Sequence, residues 1–149
     1  MTKLILKQNI ILIPVIGLFC LNSQPTSTWE TIQEEIWNPN CISCHVDGST
    51  FAFQSNLVLT SDVAYSELIN VIPNNSAAES DGFLRVGTEG LASLYSSFLW
   101  EKINTPDQEH FYSDHPYYGA LMPLNPPSLT NGELSFIEAW IIAGAPEDG

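Results

Sequence analysis

Positive charge is nearly missing from this 149-residue chain: Lys and Arg together number 4, against 17 Asp and Glu. The four are Lys3, Lys7, Arg85 and Lys102, and the first two fall in an amino-terminal stretch that reads as a leader. Beyond that stretch two cations meet 17 carboxylates, a formal net charge of −15. So few cations exclude a nucleic-acid partner, because almost nothing remains to neutralise phosphates. The same acidity suits a protein kept apart by its charge, or one that docks on a basic partner. Low-complexity tracts and internal repeats are absent too, and the length bounds the chain to one domain plus a processed segment. Sulfur is scarce, with 3 Cys and 2 Met. A hydrophobic fraction of 44% is enough to fill one core.

The leader is expected over residues 1–24, leaving a domain over 25–149. Lys3 and Lys7 make a positive start, and Ile10 to Phe19 carries no polar side chain but is short for a membrane span. This pattern is that of a signal peptide, and it implies export, to the periplasm of a bacterium or its equivalent. Cys20 closes the apolar run. A lipoprotein signal places a small residue before its cysteine, whereas Phe19 is large, so Cys20 is expected to leave with the leader. Membrane anchoring would require lipid on Cys20.

What is present is Cys41-Ile42-Ser43-Cys44-His45, and beyond the leader these two cysteines are the only ones. C-x-x-C-H is the pattern of covalent c-type haem attachment. Two thiols three positions apart can each add to one haem vinyl group. Cys41 and His45 stand at i, i+4, so the imidazole leaves the same face and can reach the iron. The competing readings are a zinc site, completed by His110 or His115, and a redox dithiol. A dithiol expects a βαβ setting, and the pattern around the motif is helical.

Met122 is the only methionine after Met1, and it lies between Gly119 and Pro123. It is therefore the only thioether available to an iron in the processed chain. A His–Met pair suits electron transfer rather than oxygen chemistry. His110 and His115 compete for the same position, but both stand among polar residues and are expected to be solvated.

Helical patterns frame these residues. Ser27-Thr28-Trp29-Glu30 fits a capping box, followed by the stripe Trp29, Ile32, Ile36. Trp37-Asn38-Pro39-Asn40 is expected to break that helix before Cys41. Further helices are expected from about Asp62 to Ile69 and from about Leu91 to Ile103, the second with Leu91, Leu94, Tyr95, Phe98, Leu99 and Ile103 on its apolar side. Residues 104–127 read as a long loop rich in proline and glycine. Thr130 to Glu133 is a second capping box, opening a helix with Leu134, Phe136, Ile137, Trp140 and Ile141 as a broad buried face and Gly144 as its terminal cap.

Taken together, these residues resemble a class I monohaem cytochrome c, closest to the planctomycete-type cytochrome-c-like haem-binding domains. The likeness rests on Cys41–His45, Val63-Ala64-Tyr65, Leu68 to Val71, Arg85-Val86, Ser93-Leu94-Tyr95, Leu121-Met122-Pro123, and Leu129 to Pro146. It implies an all-α, small cytochrome c-like fold with long loops around one covalently attached haem c, the first and last helices crossing. It also implies His45 as proximal and Met122 as distal iron ligand. Many relatives orient the ligand histidine with a proline carbonyl, yet no proline follows His45 until Pro73, so another carbonyl must serve. Arg85, in a loop that the resemblance sets near the haem cleft, is expected to bind a propionate through its planar fork. Lys102, near a helix end, is expected to be solvated.

The function expected is that of a single-electron carrier between redox partners, with no catalytic residues. The alternatives are a haem-bearing subunit of an oxidoreductase or a haem sensor with an open or His-ligated distal site, and, further off, a non-haem zinc or dithiol protein.

Overall fold

The computed structural model describes residues 26–148; the expected leader, Lys3, Lys7 and Cys20 lie outside them. Among the described residues the regular structure is helical and contains no strand, apart from two isolated parallel bridges, Ile69 with Val86 and Leu84 with Ser97. No helix among them is long and apolar enough to cross a membrane.

Helix α1 covers 28–40 as three consecutive pieces: Thr28–Thr31, a π-helical stretch Ile32–Trp37, and Asn38–Asn40. Its start is the expected capping box, with the Ser27 hydroxyl accepting from the Glu30 amide and Glu30 reaching back to the Ser27 amide. Pro39 does not break the helix. The π stretch moves the bonding to i→i+5, as in Asn38 N–H to Gln33 O, so the ladder carries past a residue that has no N–H to give. The chain therefore reaches Cys41 still bonded to α1, through Cys41 N–H to Trp37 O at 2.9 Å.

Short helices follow: α2 at Thr50–Ser55, α3 at Ala64–Leu68 and α4 at Ser76–Ser80. The long helix expected over 91–103 is two, α5 at Leu91–Leu94 and α6 at Phe98–Ile103. The split lies where the Phe98 and Leu99 amides leave the helical ladder and donate to Leu84 O and Arg85 O, at 2.8 and 3.0 Å. The buried Ser97 hydroxyl donates to Ser93 O and accepts from Gly87 N–H, a local bond that competes with the helical ladder. As a result Leu91 and Tyr95 are exposed rather than on a common apolar face. The expected loop 104–127 holds a 3₁₀ turn, Thr105–Asp107, and a seven-residue helix α7, Gln108–Asp114. The last helix, α8, runs Asn131–Ile142 with its capping box intact and Gly144 at φ +92° just past its end. Leu134, Ile137, Trp140 and Ile141 are buried as expected, whereas Phe136 is exposed.

The main core joins the two ends of the domain. Trp29 of α1 stacks on Trp140 of α8, ring centroids 5.4 Å apart, with Ile32, Ile36, Leu134, Ile137 and Ile141 around them. A second, smaller cluster gathers Ala78, Phe111 and Tyr118 beneath Phe83, Phe98 and Leu121. Residues of both clusters line one large cavity.

Candidate functional site

That cavity has a volume of about 470 Å³, within the range of about 300–1,000 Å³ usual for small-molecule sites. Cys41, Cys44, His45 and Met122 all line it, as do Arg85 and Lys102. The residues singled out from the sequence as anchors and iron ligands thus come together on one cavity. His110 and His115 do not line it.

The Cys41–His45 segment is a hydrogen-bonded turn, Cys44 N–H and His45 N–H both donating to Cys41 O at 3.1 and 3.0 Å. The carbonyl that serves the histidine is that of Leu57, 3.1 Å from His45 Nδ1, with the Ser55 hydroxyl 3.4 Å from the same nitrogen. An Nδ1–H donating to Leu57 O leaves Nε2 with its lone pair, the form a metal ligand requires. Burial lowers the His45 pKa from the usual imidazole range, the Leu57 carbonyl opposes this, and the Arg85 charge adds to the lowering. Two more bonds hold the segment: Leu59 N–H to His45 O at 2.8 Å, and the buried Gln33 amide of α1 to Leu59 O at 3.0 Å.

Arg85 completes this side through bonds to the loop at residues 55–56. It is only 4% exposed, and four acceptors surround its two terminal nitrogens. One of them donates to the Glu67 carboxylate at 2.9 Å and to Glu67 O at 2.8 Å. The other donates to Asn56 O at 2.6 Å and lies 3.5 Å from Ser55 O. Arg85 therefore holds residues 55–56, directly before the Leu57 carbonyl that serves His45.

Met122 is partly buried against the main core, and its amide donates to Lys102 O at 2.6 Å. Lys102 is not a solvated lysine. Its Nζ donates to Tyr118 O at 2.8 Å and to Ala120 O, and lies 5.6 and 5.4 Å from the Phe98 and Phe111 ring centres. Burial brings its pKa down to about 8. Gly119, at φ +80°, makes the bend that turns both carbonyls toward the amine, and a side chain there would meet Nζ at 3.6 Å.

The thiols are partly buried and unpaired. Burial, then the neighbouring Cys44 and Glu133, push the Cys41 thiol up to about 12. Such a thiol is not the ready thiolate of a redox dithiol. Nor do Cys41, Cys44 and His45 close into a metal-holding trio: among the described residues, the His, Cys, Asp and Glu donors that converge are those of Glu101, His110 and His115.

Sequence reasoning misses the Leu57 carbonyl, which as a backbone group leaves no trace in residue types. It also misses the place of Lys102, although a signal exists: Lys102 stands at i+4 from Phe98, on the same helix face. Comparison with protein-family models, curated proteins and solved structures gives no match for the chain.

Proposed function

We propose that this chain is a monohaem c-type cytochrome that carries single electrons. The observation that carries the reading is the convergence of Cys41, Cys44, His45 and Met122 on one cavity, with His45 Nδ1 already engaged by Leu57 O. The donor set fits haem c: two thiols for thioether links, an imidazole with Nε2 available, and one thioether sulfur. When bound, the haem supplies one-electron ferrous–ferric chemistry. The chain's own residues supply the rest. Leu57 and Arg85 fix the imidazole, Lys102 and Gly119 fix the Met122 loop, and apolar residues such as Leu59, Leu68 and Ile103 exclude water from the lining. Arg85 remains the proposed partner of a propionate. With its terminal nitrogens already occupied, it offers a carboxylate its charge rather than a bidentate fork. The absence of His110 and His115 from the lining favours Met122 over a histidine as distal ligand.

The test is to express the chain with haem-maturation machinery, denature the product and ask whether the chromophore stays with the polypeptide. Haem that extracts freely would sink the proposal. In the ferric holoprotein a weak red charge-transfer band is expected from sulfur ligation, and Met122→Ala should abolish it; a band unchanged in the variant would remove Met122 as ligand.

Export follows from the leader reading and is part of the same proposal. A basic redox partner is proposed from the formal −15, and its reaction rate with the protein should fall as salt screens the field. A rate indifferent to ionic strength would separate the acidity from partner choice.

A further inference from the structure

Outside the cavity, among the described residues, one group of side chains has convergent metal-binding donors: Glu101 in α6, His110 in α7, and His115 just past α7. Their donor atoms all lie within 4.8 Å of one another. We propose that they form a second metal site, for a divalent first-row transition ion of the zinc or copper class. This proposal is independent of the haem reading, since none of its residues lines the large cavity.

The distances suit a shared ion, in the place of the Glu101–His115 ion pair that forms when that ring is protonated. Glu101 Oε2 and His115 Nε2 stand 3.8 Å apart, beyond the reach of a hydrogen bond. Two ligands on a tetrahedral zinc, each about 2.0–2.1 Å from the metal, are themselves about 3.3–3.5 Å apart. The observed separation is therefore close to what a bridging ion requires. With its side chain 46% exposed, His110 has room to adjust. Glu101 and His115 are the fixed part, their side chains 11% and 17% exposed.

Chemistry and surroundings agree with this assignment. Two imidazoles and one carboxylate suit zinc or copper, and two histidines make the set unlike the all-oxygen shell of calcium or magnesium. Asp114 Oδ2 lies 3.5 Å from His110 Nδ1, where it can set that ring as a carboxylate beyond the ligands does. A cleft of about 200 Å³ opens beside Glu101 and His110, and Asn104 and Asp107 bring further oxygen donors to it. His115 is held in place by stacking on Tyr118, centroids 4.2 Å apart and planes 15° from parallel. An ion here would tie α6 to α7 and to the turn after it. Tyr118, stacked on one ligand, also lines the large cavity, so the ion would stiffen that rim.

The experiment is calorimetric titration of the purified processed protein with Zn²⁺, beside His110→Ala, His115→Ala and Glu101→Gln. One equivalent should bind to the wild type, at least tenfold more tightly than to each variant, and should raise its thermal midpoint. Zinc taken up by free thiols or scattered carboxylates would be common to all four proteins and cancels in the comparison. The exposed His110 can be truncated without opening the core, so the fold is not at risk in that variant. With Cu²⁺, electron paramagnetic resonance should show nitrogen couplings that weaken when either histidine is removed. Equal affinity in wild type and His110→Ala, or no binding by the wild type at millimolar zinc, would overturn the proposal.

Discussion

The two cations of the described chain serve different parts of the cavity lining, and they are held in different ways. Arg85 braces the His45 part: it grips the carbonyls of 55–56 and is neutralised by Glu67 at 2.9 Å. Lys102 braces the Met122 part: it grips the carbonyls of Tyr118 and Ala120 under two aromatic rings. Among the described residues no carboxylate lies within ion-pair distance of its Nζ. Guanidinium stays charged at any ordinary pH, while a desolvated amine can lose its proton. The His45 part is thus held by a fixed charge and the Met122 part by one that titrates. A protein with 17 carboxylates, and with Arg85 and Lys102 as the Lys and Arg cations among its described residues, has placed both against backbone carbonyls at one cavity. Bulk solubility does not require that.

The larger effect is expected on the Arg85 side. Arg85→Gln removes the Glu67 pair and leaves the part-buried carbonyls of residues 55–56 without their donor, a loss of about 1–3 kcal/mol. The loss should be local in character. Amide exchange at Leu59, whose N–H donates to His45 O, should quicken more than at Met122, whose N–H donates to Lys102 O. Urea denaturation and hydrogen exchange measure the two effects. Equal acceleration at both amides would mean that Arg85 stabilises the whole fold and does not brace one part of it.

Lys102→Met keeps the apolar stem and removes the donor. Two carbonyls beside Gly119 then lose their partner, but that loop lies nearer the surface, and about 1 kcal/mol is expected. Exchange at Met122 should quicken while that at Leu59 stays put, the reverse of the Arg85 pattern. If Lys102→Met loosens Leu59 as much as Met122, the two halves of the lining are one mechanical unit and the contrast fails.

The same contrast explains which features are legible in the residues alone. The His45 side is built on α1, where Trp29, Ile32 and Ile36 repeat at helical spacing and Ser27 and Glu30 form a capping box. Those signals are local and periodic, so the helical class, both capping boxes and the Trp140 face can be read from the chain. Pro39 misleads because a single-residue rule cannot see a π stretch upstream of it. The Met122 side is built on rings that meet without period: Phe83, Phe98, Phe111, His115 and Tyr118. No spacing rule announces such a cluster, and α7 is hidden in a stretch with the composition of a loop. Cys41, Cys44, His45 and Met122 stand out through their chemistry, whereas Lys102 does not, because a lysine at a helix end already has an ordinary explanation.

The effect of pH is the one that separates the two cations most sharply. Burial lowers the Lys102 pKa from 10.5 to about 8. Below about pH 8 the amine is charged in the folded and the unfolded chain alike, and the cost of burying that charge is fully felt. Between about 8 and 10.5 the unfolded chain still holds the proton and the folded chain has released it. Where the unfolded state binds more protons, stability rises with pH. The wild type should therefore gain stability relative to Lys102→Met as pH climbs from about 8 toward 10. The neutral amine keeps N–H donors for Tyr118 and Ala120, so the brace survives its loss of charge. Other groups that titrate in the same range contribute to both proteins, and the difference between the two stability curves isolates Lys102. Urea midpoints at half-unit steps from pH 7 to 10 provide those curves, with the Arg85→Gln difference measured alongside as a reference that should stay flat. Parallel wild-type and Lys102→Met curves across that range would show that the amine keeps its proton. The Met122 side would then rest on a fixed charge, as the His45 side does.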